Sequence, residues 1–528
     1  MLIRFKKKLF FPTDVCIVHV LFVNLQIQNY ILRKTMKYDV IIIGSGLGGL
    51  ECANILSRQG LAVLVLERQL QPGGCMQSYK RKGCSFDTGL HYVGGLDEGQ
   101  SLHSTFKYLG LLDLPWQRLD SNAFDKVTFV DNGNGETETF LFAEGYDNFA
   151  HTLAERFPKE RKALHEYVDM LRKTDEDQLT AITSPVPPEQ SLTNKLFSTN
   201  AWEWLHEKFN DELLINVLSG TSLKMELHKA TLPLFTFAHG NGGFIQSSWR
   251  LKGDGNMLVG KLVEEIRKNG GEVICNTEVT ELKEREGKIA YAVCSNGETY
   301  EADTFISNLH PVLTCSLVKE SSVMKNIYRK RMARLENTFG MFTVSLRLKD
   351  NALPYFNHNK YIYEKPNVWE LSEETHDGNG ILISNPTSGN QIDILTPMLW
   401  SECSQWSDTH IGRRGDEYKK LKAEKAELCI KLAETQLPGL RDAIQETYTS
   451  TPLTYRDYNL TPEGSAYGVR KDCNMPMMTV LTPRTPIPNL LMTGQNLMLH
   501  GLHGVTMTTL FTCAEILGKE TIGMIIKD

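Results

Sequence analysis

The chain has 528 residues, 41% of them hydrophobic and 23% charged, with a net charge of −6. That length suits two or three domains around a substantial core, and the lack of a basic balance argues against a nucleic-acid partner. Eleven cysteines are scattered without any C-x-x-C pair, which fits reduced thiols in a cytoplasmic enzyme better than a disulfide framework.

Arg4, Lys6, Lys7 and Lys8 precede an apolar run from Val15 to Val23 that His19 interrupts. The run is too short to cross a bilayer, which takes about twenty residues as a helix, and no small-residue cleavage site follows it. Met36 stands directly before Lys37-Tyr38-Asp39-Val40, where the first strand should begin, so residues 1–35 are expected to be a mis-assigned extension or a surface appendage. No window of eighteen apolar residues occurs further on; the body reads as soluble or peripheral to a membrane.

Val40 to Ile43 form a β-branched run without alternation, as in a parallel strand buried on both faces. Gly44-Ser45-Gly46-Leu47-Gly48-Gly49 follows, then a helical pattern through Leu50, Ala53 and Leu56 that stops at Gly60. In such a loop the first glycine allows the turn, the second lets backbone approach a pyrophosphate, and the last packs the helix against the strand. Its helix N-terminus offers unpaired N–H groups to phosphate. A second strand, Leu61 to Leu66, ends at Glu67, at the spacing where an acid accepts the ribose hydroxyls of an adenosine, with Arg68 beside it. The pair Gly73-Gly74 comes next; a simple NAD domain does not need it, whereas the longer FAD must cross that loop, so the cofactor is expected to be FAD.

Residues 145–230 are rich in helix formers and hold Trp202, Trp204 and Phe209, an aromatic group read as core. A helical pattern from Met257 to Lys268 precedes short strands at Glu272 to Cys275, Glu278 to Leu282, Ile289 to Cys294 and Thr299 to Ser307, with Asn296-Gly297 as a hairpin turn. These read as a small sheet packed over the dinucleotide fold, with Val279 near the cofactor. Beyond them, Phe342 to Leu348 is a strand candidate and Glu417 to Thr435 a charged helix. Near the end, a short strand should stop at Gly494-Gln495-Asn496, with a helix beginning near Gly504-Val505 and aimed at something electron-rich.

Together these residues resemble the phytoene desaturase and carotenoid isomerase group of FAD enzymes, and most closely its retinol saturase branch. The resemblance runs from residue 38 to the end. It rests on Phe86-Asp87-Thr88-Gly89-Leu90-His91-Tyr92-Val93-Gly94, on Pro452-Leu453-Thr454 with Gly464-Ser465-Ala466-Tyr467-Gly468, and on Thr485 to Leu490 leading into Thr493-Gly494-Gln495. Cys75 stands where many relatives carry an arginine after the glycine pair, leaving Arg81 as a weak substitute, and Asn496 stands where relatives have an aspartate.

The resemblance implies an α/β fold: a discontinuous, glutathione-reductase-like Rossmann domain from residues 36–110, 250–310 and 481–528. A mixed α+β substrate domain is inserted at residues 111–249 and 311–480. It implies an FAD-dependent oxidoreductase acting on carbon–carbon double bonds of a hydrophobic polyene; cis–trans isomerisation, desaturation, an amine-oxidase-like reaction and non-catalytic lipid binding are the alternatives. Hydride would move at flavin N5, so the protein must supply an oriented slot and a proton. His91, Tyr92, Tyr467 and His503 are the candidate donors. No metal is expected, because His91, His500 and His503 lack diagnostic spacing. Gly253-Asp254-Gly255 lacks the strand and acid of a second nucleotide domain, so NAD(P)H, if it is the reductant, would reach the flavin from the substrate side. Peripheral membrane association and the oligomeric state stay open.

Overall fold

Because Val40 to Ile43 have no polar face, they occupy the centre of a sheet covered on both sides. In a computed structural model, which describes residues 37–183, 192–373, 379–386 and 389–527, the strand Tyr38–Ile43 pairs in parallel with Val63–Leu66 on one side and Thr299–Ser307 on the other. Glu272–Ile274 adds to the outer edge of Val63–Leu66, and Leu490–Met492 pairs with Phe305 to Ser307. The N-terminal extension considered above lies outside the described residues.

The strand Thr299–Ser307 belongs to two arrangements at once. Its first half pairs antiparallel with Lys288–Cys294, which in turn pairs with Val279–Arg285, and its second half joins the parallel sheet. The small sheet is therefore continuous with the dinucleotide sheet. Helices Leu47–Arg58, Gly255–Lys268 and Gly501–Leu517 pack on one face, filling a core with Leu50, Leu56, Leu258, Leu262 and Leu510. Helix Gly501–Leu517 starts three residues before the expected Gly504, and its first residue, Gly501, takes φ +72°, where a residue with Cβ would be strained.

A second sheet runs in the order Ile444–Ser450, Gly340–Leu348, Gln391–Met398, Gly380–Ser384, Asn359–Tyr363, Asp125–Phe129, Glu138–Phe142. It is antiparallel except where Asn359–Tyr363 meets Asp125–Phe129. Helices Tyr146–Arg156, Arg161–Thr183 and Leu234–Gln246 pack beside it. Phe209 is buried and Trp202 and Trp204 are half-buried against the same core, with Trp202 meeting Trp369 edge-on at 5.1 Å. Among the described residues no helix is long and apolar enough to cross a membrane.

The Phe86-Asp87 motif acquires a structural role here. Asp87 Oδ1 accepts from the Gly255 N–H at 2.7 Å and from Ser78 Oγ at 2.7 Å, so it holds the first turn of helix Gly255–Lys268. The Asp254 carboxylate accepts from Ser85 Oγ at 2.6 Å. Gly253-Asp254-Gly255 thus ties a hairpin to a helix.

Between helices Leu47–Arg58 and Gly501–Leu517 lies Glu51, wholly buried, with Oε1 accepting from Thr506 Oγ1 at 2.8 Å and Oε2 unpartnered. Burial lifts its pKa from 4.5 to about 8. A carboxyl raised in this way contributes stability that is present below the unfolded value and lost as pH rises through the folded one. Thermal melts should show the parent losing stability between pH 4.5 and about pH 8, while Glu51→Gln, unable to ionise, holds more of it. Parallel pH profiles for the two proteins would refute this.

Candidate flavin cleft and adjoining cavity

At the carboxyl ends of the parallel strands, where open α/β sheets gather ligands, a cleft of about 460 Å³ opens. Gly44, Gly46, Leu47, Gly48, Glu67, Arg68, Gly74, Val279, Gly494, Gln495, Asn496 and Val505 line it. Four other expected cofactor residues stand behind the wall or beside it. Ser45 is buried, its N–H and Oγ donating to Glu67 Oε2 at 2.9 and 2.6 Å; Gly73 donates to the Ser45 carbonyl at 3.0 Å. Gly49 lies against the Gly44 carbonyl, and Gly504 packs on Leu499 and faces a second cavity.

Glu67 is the pivot of the far end. Its Oε1 accepts from the Gln69 N–H at 2.7 Å, so the carboxylate is fixed from both sides while it remains on the cleft wall. Next to it, Arg68 Nη2 donates to the carbonyls of Asp457 and Tyr458 at 3.2 and 2.7 Å. Glu67→Ala is expected to weaken flavin binding about ten- to a hundredfold, the equivalent of one charge-assisted hydrogen bond. Titration of flavin-free protein with FAD measures it, and an unchanged Kd would remove Glu67 from the site.

Sequence reasoning did not single out Asn308, directly beyond the strand Thr299–Ser307. With its amide oxygen facing the glycine loop, Asn308 accepts from the N–H groups of Gly46 and Gly49 at 3.3 and 3.2 Å. The signal was its place at a strand's carboxyl end, among glycines. Lys471 was likewise missed: its buried ammonium donates to the carbonyls of Thr479, Asn496 and Leu497 at 3.1, 2.8 and 3.1 Å, fixing the Gly494 turn. Of the departures, Cys75 is on the wall and accepts from Asn459 Nδ2 at 3.2 Å, burial pushing its thiol up to about 11. Arg81 is exposed beside Tyr79 and is not on the wall.

Gly501 is shared with a smaller cavity, about 160 Å³, whose wall is mainly apolar: Val93, Leu223, Phe244, Met341, Leu382, Leu395 and Leu499. His91, Tyr92, Tyr467 and His503 all line it, though they come from distant parts of the chain. His91 has a buried Nε2 without a partner; burial and the Arg250 charge push its pKa down to about 4. Burial does the same to His503. The Tyr92 hydroxyl donates to Asp125 Oδ2 at 2.8 Å and lies 2.7 Å from the Tyr361 hydroxyl. The Tyr467 hydroxyl donates to the Leu223 carbonyl, and its ring meets His500 at 4.5 Å.

Lys224 also lines this cavity. Its Nζ sits 4.0 Å from the centroid of the Phe244 ring. Burial pushes its pKa down to about 8 and Asp125 works against that. Deeper in, Asp175, His239 and His503 each present one ligating atom within 4.8 Å of the others. Neither nitrogen of His239 has a hydrogen-bond partner, whereas metal-bound imidazoles usually have the second nitrogen held.

A glycine loop and a C-terminal glycine turn packed together on the wall of one cleft, with an apolar chamber sharing Gly501, define a flavoprotein oxidoreductase. The residues fit FAD: glycines stand where backbone must approach, an acid is at one end, and a helix N-terminus is at the other. The chain belongs to the flavin containing amine oxidoreductase family, whose description matches residues 47–392.

Among individual relatives, the chain is 25% identical to an all-trans-retinol 13,14-reductase of Danio rerio, covering 92% of this chain and 86% of that one. It is 23% identical to prolycopene isomerase 2 of an Oncidium hybrid cultivar, over 83% and 76% of the respective chains. A crystal structure of an oxidoreductase from Methanosarcina mazei shares the fold with a TM-score of 0.60 and 17% identity, covering 89% of this chain and 99% of that one.

Proposed function

We propose that the protein reduces a carbon–carbon double bond of a hydrophobic polyene, in the manner of the all-trans-retinol 13,14-reductases it resembles. FAD would lie along the cleft with its adenosine at Glu67 and Arg68, its pyrophosphate at Gly44 to Gly49, Gly73 and Gly74, and its ring beside Gly494 to Asn496 and Gly504-Val505. When bound it supplies hydride at N5. The chain's own part is to hold the polyene in the apolar cavity, exclude water there, and deliver a proton to the neighbouring carbon. The observation that carries this reading is the shared wall at Gly501, which sets an apolar chamber at the end of the cofactor cleft. Among the four candidate donors, His503 is favoured: its neighbours Gly501 and Val505 touch the cleft while His503 itself faces the cavity.

NAD(P)H would serve as reductant by approaching from the substrate side, since Gly255 is engaged by Asp87. Cis–trans isomerisation is the second reading, favoured by the likeness to prolycopene isomerase. Anaerobic reduction of the yellow protein followed by mixing with all-trans-retinol or a carotenoid separates the two. Flavin reoxidation with a saturated product supports reduction; a geometric isomer with no net redox change supports isomerisation. Purification without flavin, or no change in any polyene, would reject both.

A further inference from the structure

The reaction proposed above needs a proton inside an apolar chamber, and the chamber's wall histidine is backed by a buried acid whose partner Gln246 lines a separate surface cleft. His239, on helix Leu234–Gln246, is 5% exposed and both its ring nitrogens lack a hydrogen-bond partner. Its ring meets that of His503 edge-on at 5.3 Å. Its Nδ1 lies 3.4 Å from Asp175 Oδ1, itself a buried oxygen without a partner. The other oxygen, Asp175 Oδ2, is held by Gln246 Nε2 at 3.0 Å and by the Tyr146 hydroxyl. Gln246 in turn lines a separate surface cleft with Gly145, Asn148 and His151. From cleft to cavity the order is thus Gln246 and Tyr146, Asp175, His239, His503.

We propose that Asp175, His239 and His503 form a proton relay that carries a proton from the Gln246 surface cleft into the apolar cavity. This rests on the reading of the reaction as a reduction. In that step the carbon–carbon π bond breaks, hydride from reduced flavin forms one C–H bond, and the proton leaving a His503 nitrogen forms the other. His239 returns a proton to His503 through one bridging water, their ring nitrogens lying within 4.8 Å; Asp175 returns one to His239, and solvent returns one to Asp175 through the Tyr146 hydroxyl, so the relay ends unchanged and the flavin oxidised. Neutral imidazoles suit such passage because each can accept at one nitrogen and donate at the other.

Burial also favours the stored proton. It lifts the Asp175 pKa from 3.8 to about 7, opposed by the Tyr146 hydrogen bond and assisted by Glu176. The same burial keeps His239 and His503 neutral. Around the relay, the titratable and charged groups are Tyr146, with Arg172 over its ring at 5.3 Å, and Glu176 beside the carboxyl. His503 is the catalytic residue in this scheme; Asp175 and His239 are positioning residues that act through it.

The test uses flavin-loaded protein and its Asp175→Asn and His503→Gln variants. Prereduced protein is mixed with all-trans-retinol over a pH series, in light and heavy water. Both variants should keep the apparent substrate affinity and lose about a hundredfold in reoxidation rate; Asp175→Asn should also lose the titration near neutral pH. Independently of activity, flavin-free protein should show the infrared carbonyl band of a protonated carboxylic acid that titrates near pH 7 and is missing from Asp175→Asn. If no polyene reoxidises the parent's flavin, the reading of the reaction fails while the infrared band still decides on the stored proton. An unchanged pH profile and isotope effect in Asp175→Asn, protonated-carboxyl bands identical in the parent and Asp175→Asn, or one tightly held metal per chain that the variant loses would overturn the relay.

Discussion

Gly49→Val is expected to purify without its yellow cofactor. A Cβ at this position would stand 2.2 Å from the Gly44 carbonyl oxygen and 3.2 Å from the Asn308 side-chain amide. Both obstacles are rigid, one being backbone and the other the side chain that bridges the loop. Relief requires helix Leu47–Arg58 to move off the strand, which would part Ser45 from Glu67 and the Gly46 and Gly49 N–H groups from Asn308. Overpacking alone costs about 1–3 kcal/mol, and losing the phosphate-facing geometry adds to it, so FAD affinity should fall by at least about a hundredfold. Flavin absorbance per mole of purified protein is the measurement. Gly260 is the control: it lies in helix Gly255–Lys268 with nothing within 4 Å of an added Cβ, so Gly260→Ala should keep full colour. A yellow Gly49→Val protein with the parent's Kd would overturn the account of the loop.

Asp125→Ala should be the more damaging change to the fold itself. Asp125 is fully buried, accepting from the Tyr92 hydroxyl at 2.8 Å and from Asn359 Nδ2 at 2.8 Å. Two cations are set around it. Lys224 feels its charge, and Arg250 reaches Asn359 Oδ1 at 2.6 Å and the Asn385 carbonyl at 2.9 Å. Removing this carboxylate strands buried positive charge, a loss of about 3–5 kcal/mol. The midpoint of urea unfolding should drop with an unchanged slope, and Asp125→Asn, which keeps the shape, should lose less. If Asp125→Ala unfolds at the parent's midpoint, the cations find other partners and the network is not what holds the sheet to the cavity.

The parts of this molecule that were legible in sequence are those where local chemistry decides. Val40 to Ile43 could only be a doubly covered strand, and the strand Thr299–Ser307 emerged with the bounds its hairpin turn and alternation indicate. Glu67 was visible because its spacing from the glycine loop is set by one strand, one helix and a second strand. What stayed hidden depends on contacts between distant segments. Asp175 and His239 sit on separate helices, and neither has a flanking motif. Nothing in the sequence around Lys224 or Lys471 marks them as buried, since a lysine on a loop is ordinarily solvated. The motifs around His91, Tyr92, Tyr467 and His503 mark them as candidates, yet their hydrogen-bond state, tied or free, is a property of the cavity.

The cleft draws its wall from residues 43–77, 277–317, 458–461 and 494–505. Because these segments lie so far apart in the chain, cofactor capture must come late in biosynthesis. While the ribosome is still adding residues before Gly494, the glycine loop exists but has nothing opposite it. A message truncated ahead of helix Gly501–Leu517 lacks one wall of the cleft and is expected to give a product without the colour.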